Sequence, residues 1–326
     1  MTQLKHDFSG SQWEIDYLTS RINQFHLNQR LGIEENREAW VIGQGVNLFH
    51  IENWYSVHSI IRNCLRASFL YKRGQRNAIN IQVNHQDVYI SGLPDEFDGF
   101  TILHLSDLHL DLTHEMTTAH CKAVDGLDYD MCVMTGDYRA KTYGSYQASM
   151  DALSQLRQAL SGDVYAVLGN HDTILMVPHM EAMDIKLLIN QSVMIKRNGD
   201  SIYLAGIDDP HYYRADNLEL ACDLIPHDSV SLLLSHSPEI YKQAAYAKFD
   251  LMLCGHMHGG QICLPGGIAI IANANCPRRF IKGLWQFGEL QGYTSVGSGS
   301  SVVDVRLNCL PEITLLRLLP SHRSAD

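Results

Sequence analysis

Residues able to hold a metal ion recur in this chain at one kind of place, directly after a short apolar run. Leu105 is followed by Ser106-Asp107-Leu108-His109, Met134 by Thr135-Gly136-Asp137, and Leu168 by Gly169-Asn170-His171-Asp172. Leu234 is followed by Ser235-His236-Ser237, and Cys254 by Gly255-His256-Met257-His258. One His-x-His pair carries little weight, since in an extended segment the two rings merely share a face, and 17 histidines in 326 residues make chance pairs common. Five runs that each deliver Asp, His or Asn at the same place carry more. Such donors, without cysteine, suit ions that accept nitrogen and oxygen together, such as zinc, manganese or iron. There are enough of them for two ions. Two metals about 3.5–4 Å apart clamp the attacking and leaving oxygens of an in-line phosphoryl displacement and lower the pKa of a bound water, provided a shared carboxylate holds the pair together. The glycines before Asp137, Asn170 and His256 fit sharp turns where backbone passes close to such a shell.

The elements that must position these residues follow from the same runs: Thr101–Leu105, Met131–Met134, Val164–Leu168, Ile202–Ala205, Val230–Leu234 and Leu251–Cys254. Helical stretches are expected between them at His114–Leu127, Ser145–Leu160 and Pro238–Ala247, with an earlier strand at Ile79–Ile90 and strand-rich chain at Tyr293–Val296 and Ile313–Leu319. This alternation predicts an α/β fold. In α/β sheets the crevice beyond the carboxyl ends of the strands is where loops converge, so residues spread over some 150 positions can meet there.

Residues 1–76 have a different character and are expected to form a helical extension ahead of a catalytic domain at 77–326. Ser11 and Glu14 have capping-box spacing, and Trp13, Tyr17, Leu18, Ile22 and Phe25 continue at helical intervals, which predicts a helix ending near Gly32. A second helical stretch begins near Asn53. Trp54, Val57, Ile60, Ile61, Cys64, Leu65 and Tyr71 fall on one side of its wheel and Arg62, Arg66 and Arg73 on the other, with Phe69 and Leu70 at the borders. Residues 54–76 thus have two readings: a helix attracted to an anionic membrane interface, or a helix packed on the main domain with a solvated arginine face.

Composition bounds the rest. A net charge of −11 argues against general nucleic-acid binding, which needs clustered cations. No run of about 18 apolar residues could span a bilayer, and the N-terminus lacks the pattern of a secretory signal. The cysteines at 64, 121, 132, 222, 254, 263, 276 and 309 show no Cys-x-x-Cys spacing, so reduced, buried thiols in a cytoplasmic setting are expected.

Asp107-x-His109, Gly136-Asp137, Gly169-Asn170-His171-Asp172, His236 and Gly255-His256-x-His258, in this order, resemble the five-motif signature of the calcineurin-like metallophosphoesterases, over about residues 80–319. The likeness is to the bacterial branch whose last motif reads Gly-His-x-His-Gly-Gly-Gln and whose C-terminus carries a Pro-Glu-Ile segment, here Pro311-Glu312-Ile313. The resemblance implies a double β-sheet sandwich flanked by helices, with two divalent metal ions at one edge. Asp107, His109 and His258 would bind one ion, Asn170, His236 and His256 the other, and Asp137 would bridge them. His171 would contact the phosphate and protonate the leaving oxygen, and Asp172 would orient its imidazole. Where many relatives follow Gly-Asp with an apolar pair and an acid, this chain has Tyr138-Arg139-Ala140-Lys141. Arg139 is read either as a substrate phosphate contact, by its bidentate geometry, or as a surface charge.

The activity so implied is metal-dependent hydrolysis of a phosphodiester or pyrophosphate bond in a small-molecule or lipid phosphate ester. The basic amphipathic stretch favours a lipid-linked substrate such as a UDP-diacylglucosamine or a phospholipid, met from the inner face of a membrane. The rivals are a soluble nucleotide phosphodiesterase and a non-catalytic metal-binding interaction module. Other histidines are given ordinary roles, His104 as a packed core residue and His114, His120, His179, His211 and His227 as surface positions. Gly297-Ser298-Gly299-Ser300-Ser301, with no P-loop lysine after it, is read as a turn near the site.

Overall fold

The computed structural model describes residues 10–43, 55–269 and 275–321. The apolar runs become two sheets. The first receives β1 (Gln82–Ile90), β2 (Thr101–Leu105), β3 (Met131–Met134), β4 (Val164–Ala166) and β5 (Ile185–Leu187). The second receives β6 (Gln191–Arg197), β7 (Asp200–Gly206), β8 (Ser231–Leu234) and β9 (Leu251–Cys254). A small hairpin follows, β10 (Cys263–Leu264) with β11 (Ile268–Ala269); β12 (Gly283–Phe287) and β13 (Leu290–Thr294) then extend the second sheet, and β14 (Glu312–Pro320) returns to the first. Among the described residues the orders are β1-β14-β2-β3-β4-β5 and β12-β13-β9-β8-β7-β6. The middle of each sheet is parallel, β2 to β5 in one and β7-β8-β9-β13 in the other.

Parallel strands covered on both faces read as continuous apolar runs, and β2 shows the reason here. Ile102 packs between the sheets with Val133, Leu204, Leu232 and Leu253, whereas Leu103 and Leu105 face the helices outside the first sheet with Leu153, Ile174 and Met180. Those helices are α1 (Gln12–Arg21), α2 (Gln24–Gly43), α5 (His114–Val124), α6 (Gln147–Ala159) and α7 (Val177–Ala182). The second sheet is covered by α8 (Leu218–Cys222) and α9 (Tyr241–Tyr246), where Ala221 and Ala244 meet Leu233 and Met252. This is the double-sheet sandwich flanked by helices that the sequence implies. His104 is fully buried in it, as expected, with Nε2 2.9 Å from Thr135 Oγ1, and burial lowers its pKa to about 3.

The N-terminal helices differ from expectation in two places. The Glu14 carboxylate does accept both the Ser11 N–H and Oγ–H, but the helix stops at Arg21 and a second one starts at Gln24, where Asn23 Oδ1 accepts the Phe25 N–H as an N-cap does. This second helix runs through Gly32 to Gly43, since one helical glycine costs only about 1 kcal/mol and the buried Arg30–Glu34 pair bridges the turn at 2.6 Å. The stretch after Asn53 is likewise two helices, α3 (Tyr55–Ala67) and α4 (Tyr71–Ala78), divided at Phe69, whose φ of 60° and whose neighbour's Leu70 N–H to Leu65 O bond end the first. Trp54 lies outside the described residues. Leu65, Ile61 and Tyr71 pack on Val303, Val305 and Leu307, while Ile60 is 60% and Phe69 93% exposed, so the apolar side is only partly covered.

These helices are joined closely to the sheets. Glu14 bonds Tyr146 and His179, Arg21 bonds Glu181 and the Leu187 carbonyl, and the Gly74 carbonyl accepts the Arg306 N–H. Helix α4 passes through the expected junction at residues 76 and 77 and leads into β1 within four residues.

Candidate metal centre and active site

Every expected donor follows the carboxyl end of a strand. Asp107 and His109 come after β2, Asp137 after β3, Asn170 and His171 after β4, His236 after β8, and His256 and His258 after β9. Their ligand atoms form two overlapping groups, Asp107, His109, Asp137 and His258 in one and Asp137, His236 and His256 in the other, all buried and each group within 4.8 Å. Asn170 joins the second group, its Oδ1 2.8 Å from both His236 Nε2 and His256 Nδ1. Asp137 is common to both groups, with Oδ2 3.8 Å from His109 Nε2 and 3.3 Å from His236 Nε2.

The chain bends hard to achieve this. Asp107, His109, Asp137, His256 and His258 have φ values of 52°, 42°, 60°, 70° and 47°, a region costing L-residues on the order of 1–3 kcal/mol and kept where the surroundings over-determine it. Gly255 shows how tight the surroundings are. A Cβ there would lie 1.8 Å from Ser106 Oγ and 2.3 Å from Asp107 Oδ2.

Hydrogen bonds set the ring nitrogens. His109 Nδ1 donates to Arg139 O at 2.8 Å and His236 Nδ1 to Thr135 O at 2.7 Å, which leaves a lone pair on each inward Nε2 in the neutral ring. Holding the outer nitrogen by a carbonyl is what metal-binding histidines usually require. His109 Nε2 and His258 Nε2 stand 3.2 Å apart, as do His236 Nε2 and His256 Nδ1, a disposition suited to neighbouring ligands on one cation. The His and carboxylate donor set, free of sulfur, fits divalent zinc, manganese or iron.

The electrostatics agree. Burial raises the Asp107 pKa. Burial acts the same way on Asp137, but the nearby His236, His171 and His109 overcome it and hold Asp137 well below the usual carboxylate range. Burial alone would lower His236, and the carboxylates of Asp137 and Asp107 push it up to about 10 instead. The cluster therefore favours positive charge between its two aspartates, where a divalent cation would supply it.

Comparison with known proteins agrees with this geometry. The family described as calcineurin-like phosphoesterase matches over residues 100–260. The chain is 30% identical over 257 residues to the uncharacterized metallophosphoesterase YkoQ of Bacillus subtilis, covering 76% of this chain and 93% of that one. The chain belongs to the calcineurin-like metallophosphoesterases. A second member, phosphodiesterase YaeI of Escherichia coli, is 30% identical over 69% of this chain and 84% of its own. A bovine transmembrane protein with metallophosphoesterase domain is 31% identical over 71% of this chain and 56% of its own. As a metallophosphoesterase the chain is a metal-dependent hydrolase, and its buried His and Asp cluster offers donors that could hold divalent ions. None of its described helices is long and apolar enough to cross a membrane.

Three expectations about this metallophosphoesterase need correction. The Asp172 carboxylate is not on the His171 ring; its oxygens accept the amides of Asp137, Tyr138 and Gly169 at 2.7–2.9 Å and so tie two ligand turns together. Burial and the Asp137 charge push Asp172 up to about 6, against the pull of the Gly169 amide and of Arg139 toward the carboxylate form. Arg139 is not a surface charge but 2% exposed, and it donates to the carbonyls of His171, Thr142 and Gly144. His120 and His211 are not surface positions. His120 is fully buried and bonds Ser298 Oγ, and the His211 ring lies 4.2 Å from that of His256 with Nδ1 on Glu239.

Other supporting residues had no motif to announce them. Arg306, fully buried, donates to the carbonyls of Val296, Gly297, Gly299 and His258. Thr135 Oγ1 donates to Ser106 Oγ, which donates to Asp107 Oδ2, so a hydroxyl relay runs from His104 to a ligand. The Gly297–Ser301 turn does lie beside the site, its Ser298 and Gly299 amides on the carbonyls of Ser106 and Asp107.

Proposed function

We propose that this enzyme cleaves a phosphodiester or pyrophosphate bond with two divalent cations, one held by Asp107, His109 and His258, the other by Asn170, His236 and His256, and both by Asp137. The observation that carries the reading is the single Asp137 carboxylate between two sets of ring nitrogens. Cations bound there polarise phosphate oxygens and lower the pKa of a water molecule. The chain's own residues supply position and a proton. His171 Nε2 faces Asp137 Oδ2 at 3.9 Å and its ring stands edge-on to His109 at 4.9 Å, which suits it to hold a proton for the leaving oxygen. Its amide is held by Asp137 Oδ1 at 2.9 Å and its carbonyl by Arg139. Arg139 thereby acts on the substrate through His171.

The test is hydrolysis of bis-p-nitrophenyl phosphate with manganese by the wild type, Asp137→Asn and His171→Ala. A loss of about 10²–10⁴-fold is expected for His171→Ala, the range attached to a positioned acid or base, and a loss at least as large for Asp137→Asn, which alters the carboxylate common to both donor groups. Equal rates in all three would reject the assignment.

We place the substrate among lipid-linked phosphates and the enzyme peripherally on the inner face of a membrane. What supports this is the segment that holds α3 and α4. Residues 55–79 carry Arg62, Arg66, Lys72, Arg73 and Arg76 and no acid, in a chain of net charge −11, and Phe69 and Ile60 of the same segment are exposed. A segment that carries both cations and exposed apolar side chains suits an anionic lipid surface. The segment is also one step from the site, because Gly74 O holds the amide of Arg306 and the Arg306 side chain holds the carbonyl of His258. Sedimentation with phosphatidylglycerol vesicles is expected for the wild type and lost in Phe69→Ser combined with Arg73→Ser. Turnover of cyclic nucleotides with none of lipid-linked diphosphates would favour a soluble nucleotide phosphodiesterase instead.

A further inference from the structure

We infer that Arg30, together with Glu34, is a positioning residue for the loop that carries Asn170 and His171, so that helix α2 of the N-terminal extension belongs to the catalytic apparatus. The inference rests on the proposed role of His171. Arg30 is fully buried, with Nη2 donating to the Asp172 carbonyl at 3.0 Å, Nη1 to Glu34 Oε1 at 2.6 Å, and Nε to the Asp208 carboxylate at 3.2 Å. Its guanidinium lies 3.3 Å from the centre of the Tyr213 ring. Glu34, also buried, accepts the Ile174 amide at 2.8 Å and the Thr173 hydroxyl. One turn of α2 therefore holds Asp172, Thr173 and Ile174, the three residues directly after His171.

The other side of the loop is held from the catalytic body. Asp137 and Arg139 take the His171 amide and carbonyl, and the Asp172 carboxylate is tied to three amides. The α2 pair closes the clamp. Stability alone gives little reason for such an arrangement, since a buried ion network is often no better than apolar packing of equal volume. What charge-assisted hydrogen bonds add is direction, and a misplacement of about 1 Å at a reacting group costs on the order of 10²-fold in rate. Arg30 also reaches the loop after β7 through Asp208, next to Asp209, whose carboxylate caps the amides of His211, Tyr212 and Tyr213. One side chain thus registers two loops that border the donor cluster.

The test uses Arg30→Lys, which keeps the charge but cannot span three acceptors, and Glu34→Gln, which keeps the size. Tyr17→Phe removes a bond from α1 to Glu181 and leaves the loop untouched, so it serves as the control. Diphenyl phosphate has a leaving group more dependent on a proton than that of bis-p-nitrophenyl phosphate. On it, Arg30→Lys should lower kcat about 10- to 100-fold with KM changed by less than about threefold, and the loss on the nitrophenyl ester should be several-fold smaller. Combined with His171→Ala, Arg30→Lys should add almost nothing, as expected of residues acting through one group. Hydrogen exchange in the absence of substrate should quicken at residues 169–174 in both variants and not in Tyr17→Phe. Equal losses on the two substrates, additivity with His171→Ala, or unchanged exchange at 169–174 would overturn the inference. A wild type inactive on both substrates would defeat the proposed function, and the exchange measurement would still decide whether α2 holds the loop.

Discussion

Gly169→Ala is the sharpest single test of how the shared carboxylate is held. A Cβ at residue 169 would lie 2.3 Å from Asp137 Oδ1, 2.6 Å from Asp137 N and 2.9 Å from His236 Cε1. The side-chain contact could be relieved by rotation, but the amide contact cannot. Moving Asp137 N out to an ordinary contact of 3.4 Å requires a retreat of about 0.8 Å, and that amide is bonded to Asp172 Oδ2 at 2.7 Å. Overpacking of this kind costs about 1–3 kcal/mol, within the 5–15 kcal/mol typical of folded domains, so the variant should fold. A shift near 1 Å in the residue shared by both donor groups should cost about 10²-fold in kcat. The assays are bis-p-nitrophenyl phosphate turnover and manganese titration by calorimetry, with circular dichroism to confirm folding. If Gly169→Ala folds and keeps both kcat and metal affinity within about threefold of wild type, the idea that Asp137 has no room to move is wrong.

Three further outcomes follow from other parts of the molecule. Gly32 is a helical position where an added methyl group would meet nothing within 4 Å, so Gly32→Ala should raise stability by about 0.5–1 kcal/mol and leave turnover unchanged; a lowered Tm would contradict the helix assignment there. His104, with a folded pKa near 3 against about 6.5 when unfolded, stays neutral while the unfolded chain takes up a proton, so its contribution is full above pH 6.5 and declines by about 1.4 kcal/mol per unit as pH falls toward 3. Urea unfolding of His104→Gln between pH 7 and 4 should show a shallower pH dependence than wild type, and an unchanged one would refute the burial argument. Chelation should lower the Tm of the wild type, since a cation at 100 times its Kd stabilises by about 2.7 kcal/mol, and Asp137→Asn should lose most of that chelator-dependent shift.

What could be read in the sequence was what is local in it. The runs at Thr101–Leu105, Met131–Met134 and Leu251–Cys254 coincide with β2, β3 and β9, because strands buried on both faces leave an uninterrupted apolar signal. The donors follow them within a few residues, so motif and strand end are seen together. The breaks at Asn23 and Phe69 are not legible, since an amphipathic pattern continues across each and the cap at Asn23 and the positive φ of Phe69 show only in the structure. Arg30 and Glu34 stand four apart on a helix, the spacing of a solvated surface pair, and nothing in the sequence says that the pair is buried. His120 did leave a signal. Met116, His120 and Val124 recur at intervals of four and all face inward, a stripe that the polar character of histidine disguises.

The buried arginines share a physical cause with the strained ligands. Loops that put five donors at positive φ cannot pair their own carbonyls in a regular ladder, yet a buried carbonyl without a donor is costly. Arginine offers five N–H groups from one side chain. Arg139 covers the carbonyls of His171, Thr142 and Gly144, Arg306 those of Val296, Gly297, Gly299 and His258, and Arg30 that of Asp172. Each also brings a positive charge close to a buried carboxylate, Arg139 to Asp172, Arg306 to Asp107 and Arg30 to Asp208. A lysine, with a single compact ammonium, could offset the charge but not cover carbonyls pointing in several directions. The arginines are therefore what the ligand loops need because of how they are bent, and the one supplied by α2 makes the N-terminal extension answerable to the same requirement.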